Sequence, residues 1–238
     1  TAALSPYGQR ALRGVDDSLP IKRRYLGSDA TGAEEQKGSV MAVTDYTAGT
    51  WYAAPVHQWF GAIRANLGAH DEDESELIVL VSELLPVVAW ALERGEDLRG
   101  EVVVSLIDND NACRALNTRR SRNKYIRYLL RVLTWAELRH KFRVVAYYVN
   151  TKHNVLNDTI SRVYDPRSAT AVAETQAVVD ELYPGLQFEP LTKLFDFLVE
   201  GNSVMASLLL PEDVSAGMAA HVNYTGKADD GRGVGESG

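Results

Sequence analysis

The sequence predicts an α/β fold: a mixed sheet of five strands, three antiparallel and then two parallel, flanked by helices and followed by a helical C-terminal extension. Three observations carry that expectation. Three short strand-like runs follow one another between residues 24 and 54, as in an antiparallel meander. Two apolar runs, 102–107 and 143–149, alternate with helical patterns, as parallel strands buried under helices do. A chain of 238 residues, 45% hydrophobic, supplies ample core for one large domain with tails.

Taken in order, residues 1–22 mix Pro, Gly and charge without a period and are expected to be a lead-in or linker. A strand at 24–28 runs into Asp29, and a Gly- and Glu-rich turn at 30–37 leads to strands at 39–44 and 50–54, bounded by Gly38, Asp45 and Gly49. The acidic run at 70–76 is a solvated loop. Leu84, Val87, Val88, Ala91 and Leu92 then recur at helical intervals before the stop signals Gly95 and Gly100. Pro86 is expected in the first turn of that helix, where a missing N–H costs least, so Glu83 falls at or just before its start. The buried strand at 102–107 delivers Asp108. A short helix at 110–116 and a longer one at 123–140 precede the last strand, and a short helix covers 155–164. The domain thus spans 23–165. Helical patterns broken by Pro184-Gly185 and Pro190 make 166–222 a helical extension, and 223–238, with five glycines in 16 residues, a disordered tail.

The net charge of −7 excludes a protein that coats nucleic acid by bulk attraction, yet the charge is uneven. Between Arg114 and Arg143 ten Lys/Arg face one acid, Glu137, a local +9 that suits a polyanion. Within it Arg120, Lys124, Arg127 and Arg131 are spaced by four, three and four, so that on a helix they form one stripe, with Arg119 and Arg122 beside it. Tyr125 and Tyr128 flank the stripe and suit sugar contacts or core. Cys113 is the sole cysteine and cannot form an internal disulfide. No signal peptide or apolar run long enough to span a membrane is present, which predicts an intracellular protein, cytoplasmic or nuclear, without a membrane partner. The chain opens on Thr1 rather than Met, as a segment of a longer protein would.

Four acids stand at the ends of predicted elements in the order Asp29, Glu83, Asp108, Asp158. The last lies in Asn154-Val155-Leu156-Asn157-Asp158-Thr159-Ile160-Ser161-Arg162. This order, the 25-residue step from Glu83 to Asp108, and a terminal pattern like N-V-L-A-D-x-L-S-R resemble the ribonuclease H domain of retroelement reverse transcriptases. The resemblance covers residues 25–162. It implies a ribonuclease H-like sheet, two Mg²⁺ or Mn²⁺ ions held by Asp29, Glu83, Asp108 and Asp158, and cleavage of the RNA strand of an RNA–DNA hybrid. The basic residues Arg119, Arg120, Arg122, Lys124, Arg127 and Arg131 would then bind the hybrid, and an upstream polymerase domain would be the partner in a longer chain.

That chemistry agrees with the residue types. Phosphodiester hydrolysis needs an activated water and charge stabilisation at both oxygens, which paired divalent ions supply, and hard ions take carboxylate oxygens. Asp110 is the alternative ligand to Asp108. The family's histidine before the last helix is replaced by Tyr148-Val149-Asn150-Thr151, leaving His153 as the auxiliary residue, and Asn157 stands where Ala is usual. The helical acid comes second rather than last, unlike integrases, and Asp29-Ala30-Thr31 lacks the Asp-x-Glu of proofreading exonucleases. The alternative function is a catalytically silent connector or nucleic-acid-binding module of the same fold, which has no reason to keep mutually repelling carboxylates together.

Overall fold

The computed structural model describes residues 21–31, 39–56, 59, 63 and 75–193. The expectations for the lead-in, for most of the acidic run, for the helical pattern beyond residue 193 and for the tail fall outside them.

The fold is α/β, a mixed sheet flanked by helices. Strands β1 (Lys22–Ala30), β2 (Val40–Asp45) and β3 (Thr50–Pro55) form the antiparallel meander, with Asp29 opposite Ala42. Helix α1 (Ser75–Arg94) leads through a 3-10 turn to β4 (Glu101–Ile107). Helices α2 (Asp110–Thr118) and α3 (Lys124–His140) precede β5 (Arg143–Tyr148), then come α4 (Val155–Val163) and α5 (Ala171–Leu182). β4 pairs in parallel with β1 and β5 in parallel with β4.

Two expectations are corrected. The sheet has six strands rather than five, in the order β5-β4-β1-β2-β3-β6, because β6 (Gln187–Phe188) adds in parallel to β3. A two-residue strand has no period to detect; what holds it is the Gln187 N–H donating to the Gly49 carbonyl, the Glu189 N–H donating to that of Trp51, and Phe188 tilted on the Trp51 ring at 4.8 Å. The second correction concerns α1, which starts at Ser75, within the run expected to be a loop. Glu83 is therefore in mid-helix, and Pro86 is an interior residue. Having no N–H, Pro86 cannot donate to the carbonyl of Ser82, one turn back. The helix tolerates it because residues 84, 85 and 87–91 are fully buried and packing outweighs propensity.

Leu156 and Ile160 of α4 and Val179 of α5 pack on Val40, Ala42, Trp51 and Ala53. Strand alternation then turns Met41 and Val43 to the opposite face, where α1 contacts β1 and β2 and leans on α3. Gly27 lets α4 approach closely: a Cβ there would collide with the Asn157 amide and the Tyr46 hydroxyl. Asn157 is fully buried yet satisfied, accepting from Thr44 Oγ1 at 2.9 Å and donating to Asn154 Oδ1 at 3.0 Å and Tyr46 Oη at 3.3 Å. Asn154 in turn donates to the Ser28 carbonyl at 2.9 Å. These bonds lock the start of α4 to β1 beside Asp29.

The β5 edge is closed by side chains rather than by a strand. Asn117 accepts from the Ala146 N–H at 2.9 Å and donates to the Ala146 carbonyl at 2.7 Å. Glu137 accepts from the Val144 N–H at 2.7 Å, and Arg119 donates to the Val144 carbonyl at 3.0 Å. Glu137 also pairs with Arg119 and, at 3.0 Å, with Arg143, so its buried charge is compensated on both sides. No helix among the described residues is long and apolar enough to cross a membrane.

Candidate metal centre

Parallel pairing of β1 with β4 aligns Gly27 with Leu106. Two residues further along each strand direction come Asp29 and Asp108, so the register itself makes these carboxylates neighbours. Asp29 is not the last strand residue, since β1 continues to Ala30, whereas Asp108 follows the end of β4. Asn109 then caps α2, its side chain accepting from the Ala112 N–H at 3.0 Å, which turns the chain immediately after Asp108. Glu83 enters from α1. One oxygen from each of Asp29, Glu83 and Asp108 lies within 4.8 Å of the others.

Burial is the dominant influence on these groups. It pushes the Glu83 carboxyl up to about 8, with Asp29 and then Asp108 acting in the same direction. It pushes Asp29 up to about 6; the Ser161 hydroxyl pulls the other way, while Asp108 and Asp158 add to the rise and Arg162 opposes it. Glu83 is 8% exposed, and its Oε2 is buried without a hydrogen-bond partner. That unpaired oxygen stands beside two further carboxyl groups, close enough together to hold a metal ion. Three hard oxygen donors fit a divalent ion such as Mg²⁺ or Mn²⁺. Cys113 lies behind Asp108 with its thiol on the Ile107 carbonyl at 3.7 Å; burial, then Asp110 and Asp108, push it up to about 12, so it packs as a neutral, apolar side chain.

The other expected residues are placed as follows. Asp158 stands in the first turn of α4, outside the three-acid group, and pairs with Arg162 at 2.8 Å. Its charge nonetheless reaches Asp29. Asp110 is exposed at the start of α2 and does not belong to the group. His153 is exposed in the 3-10 turn Thr151–His153. Arg119 is committed to Glu137 and the Val144 carbonyl. Arg120 and Arg122 precede α3 rather than lying on it, so the helical stripe is Lys124, Arg127 and Arg131. Arg127 donates to the Arg122 carbonyl at 2.6 Å, and the Lys124 ammonium sits 5.3 Å from the Tyr125 ring centre. Tyr125 and Tyr128 are both core. An open cleft of about 360 Å³ is lined by Arg119, Arg120, Ser121, Arg127, Leu130, Arg131 and Thr134.

Sequence reasoning missed Ser161. Its hydroxyl donates to Asp29 Oδ2 at 2.7 Å, across 132 positions of sequence. The signal available was its place three residues after Asp158 on a short helix, one turn away on the same face. No known family model matches the chain, and no characterised protein is significantly similar to it.

Proposed function

We propose that the chain is a metal-dependent endonuclease of ribonuclease H-like fold that cleaves the RNA strand of RNA–DNA hybrids within a retroelement reverse transcriptase. The observation that carries this reading is the meeting of Asp29, Glu83 and Asp108 at one end of the parallel β1–β4 pair, with Glu83 Oε2 buried and unpaired. The mixed sheet in the order β5-β4-β1-β2-β3-β6 is compatible with a ribonuclease H-like fold, and the acid order along the chain supports the reading. Asp29, Glu83 and Asp108 would hold one Mg²⁺ or Mn²⁺, and Asp158, once released from Arg162, would serve a second. Two such ions, when bound, supply an activated water and charge stabilisation at the attacking and leaving oxygens.

The chain's own residues account for the rest. Burial of Asp29 and Glu83 favours their protonated forms, so a cation would bind by displacing protons and would then meet ionised oxygens in poorly screened surroundings. The cationic cleft along α3 suits a nucleic-acid backbone, since each phosphate neutralised releases counterions. A ribonuclease needs to find the 2′-hydroxyl on one strand only, and a cationic cleft separate from the carboxylates can take the other. The test is incubation with labelled RNA–DNA hybrid, RNA duplex and DNA duplex in Mg²⁺, Mn²⁺ or EDTA. Hybrid cleavage that requires the metal and vanishes in Asp108→Asn is the expected result. Cleavage by Asp108→Asn at the wild-type rate refutes the site, and a wild-type protein that binds hybrid without cutting it is a silent module.

A further inference from the structure

We propose that Ser161 is a positioning residue that sets the orientation of Asp29 for metal binding; this rests on the metal-centre reading above. Asp29 is 6% exposed and Ser161 2% exposed, so water does not compete for their 2.7 Å bond. Asp29 shares its surroundings with Glu83 and Asp108, and repulsion from the Asp108 carboxylate favours rotating its side chain out of the cluster. A hydroxyl on Oδ2 stops that rotation. A bond from a neutral donor to an ionised acceptor is shorter and stronger than one between neutral groups.

Ser161 does not need Asp29 for its own satisfaction. Its Oγ also lies 3.0 Å from the Asp158 carbonyl, one turn back along α4, the usual acceptor for a helical serine. With one proton to give, the hydroxyl stands closer to the carboxylate. The same atom thereby links Asp29 to the turn of helix that carries Asp158. The approach is built in, because Asn154 bonds the Ser28 carbonyl of β1, Asn157 bonds Thr44 of β2, and Gly27 leaves room for the Asn157 amide.

The experiment uses the full chain and Mn²⁺ alone as the probe. Ser161→Ala and Ser161→Thr are compared with wild type by calorimetric Mn²⁺ titration and by thermal unfolding in EDTA. Loss of a group that orients a metal ligand typically weakens affinity about 10–100-fold. Ser161→Ala is expected to bind Mn²⁺ that much more weakly while remaining folded, and to recover its cleavage rate at saturating Mn²⁺ with an unchanged KM for hybrid. Ser161→Thr, which keeps the hydroxyl, is expected to bind as wild type does. A lowered unfolding temperature with unchanged Mn²⁺ affinity means that the bond only holds the fold together and overturns the proposal. A folded Ser161→Thr that binds as weakly as Ser161→Ala overturns it too. A wild-type chain that takes up no Mn²⁺ brings down the metal-centre reading itself, whereas equal uptake by wild type and Ser161→Ala spares that reading and removes only Ser161's role.

Discussion

Replacing Glu83 by Gln should make the metal-free protein more stable at neutral pH and leave it unchanged in acid. In the unfolded chain Glu83 titrates near its ordinary value of 4.5, and in the folded protein near 8. Between those values the unfolded chain has released a proton that the folded protein still holds. Stability therefore falls as pH rises through that window, by about 1.4 kcal/mol per pH unit for one group. From pH 4.5 to 7 this amounts to a loss on the order of 3 kcal/mol, against a total stability of about 5–15 kcal/mol for a domain. Gln has the same shape and no charge to bury, so Glu83→Gln should remove most of this slope. Asp29, raised from 3.8 to about 6, adds a fall of the same sign over that shorter window. Urea unfolding in EDTA at pH 4.5 and 7.5 reads the effect directly. Excess Mg²⁺ at pH 7.5 should reverse the order, because a cation stabilises the ionised cluster only where Glu83 is present. Identical pH profiles for wild type and Glu83→Gln in EDTA would refute the reasoning, since Glu83 would then be ionised in the folded state at no cost.

Asn117→Ala should lower stability by about 2–4 kcal/mol, because it strips both the N–H and the carbonyl of Ala146 of their partners; an unchanged urea midpoint would mean that water replaces the amide. The pair Arg127→Ala with Arg131→Ala should weaken hybrid binding and flatten its dependence on salt by about two phosphates' worth, leaving thermal stability intact because both side chains lie on the cleft rather than in the core. A salt slope equal to that of wild type would take the cleft off the binding surface.

The strands and the parallel pairing could be anticipated because 102–107 and 143–149 are short, largely apolar runs that alternate with helical patterns. Asp29 and Asp108 follow from the same register. Glu83 was legible as one of the acids that come together but not as a mid-helix residue. Pro86 carries a local rule that favours a helix start, and the burial of α1 overrides it. Arg119 and Arg127 look alike in the sequence, and both line the cleft; only the fold shows that Arg119 is spent on Glu137 while Arg127 bonds the Arg122 carbonyl. Ser161 and Asn157 were hidden for another reason. A small polar residue inside a helix is unremarkable until the strands beneath it are known to carry Asp29 and an admitting Gly27 on β1 and Thr44 on β2.

The side chains on β5 also bear on how this protein fails. A strand with free backbone groups is a template on which another chain can grow, and many sheets blunt theirs with charge or proline. Here Asn117, Arg119 and Glu137 imitate a neighbouring strand, and all three belong to α2, its C-terminal cap or α3. Protection from self-association is thus tied to the docking of two helices. Any event that peels α2 and α3 away, whether heat, mild denaturant or pulling, opens a ready-made growth site on a strand as apolar as Val144-Val145-Ala146. Loss of solubility in this protein should therefore begin before the sheet itself comes apart.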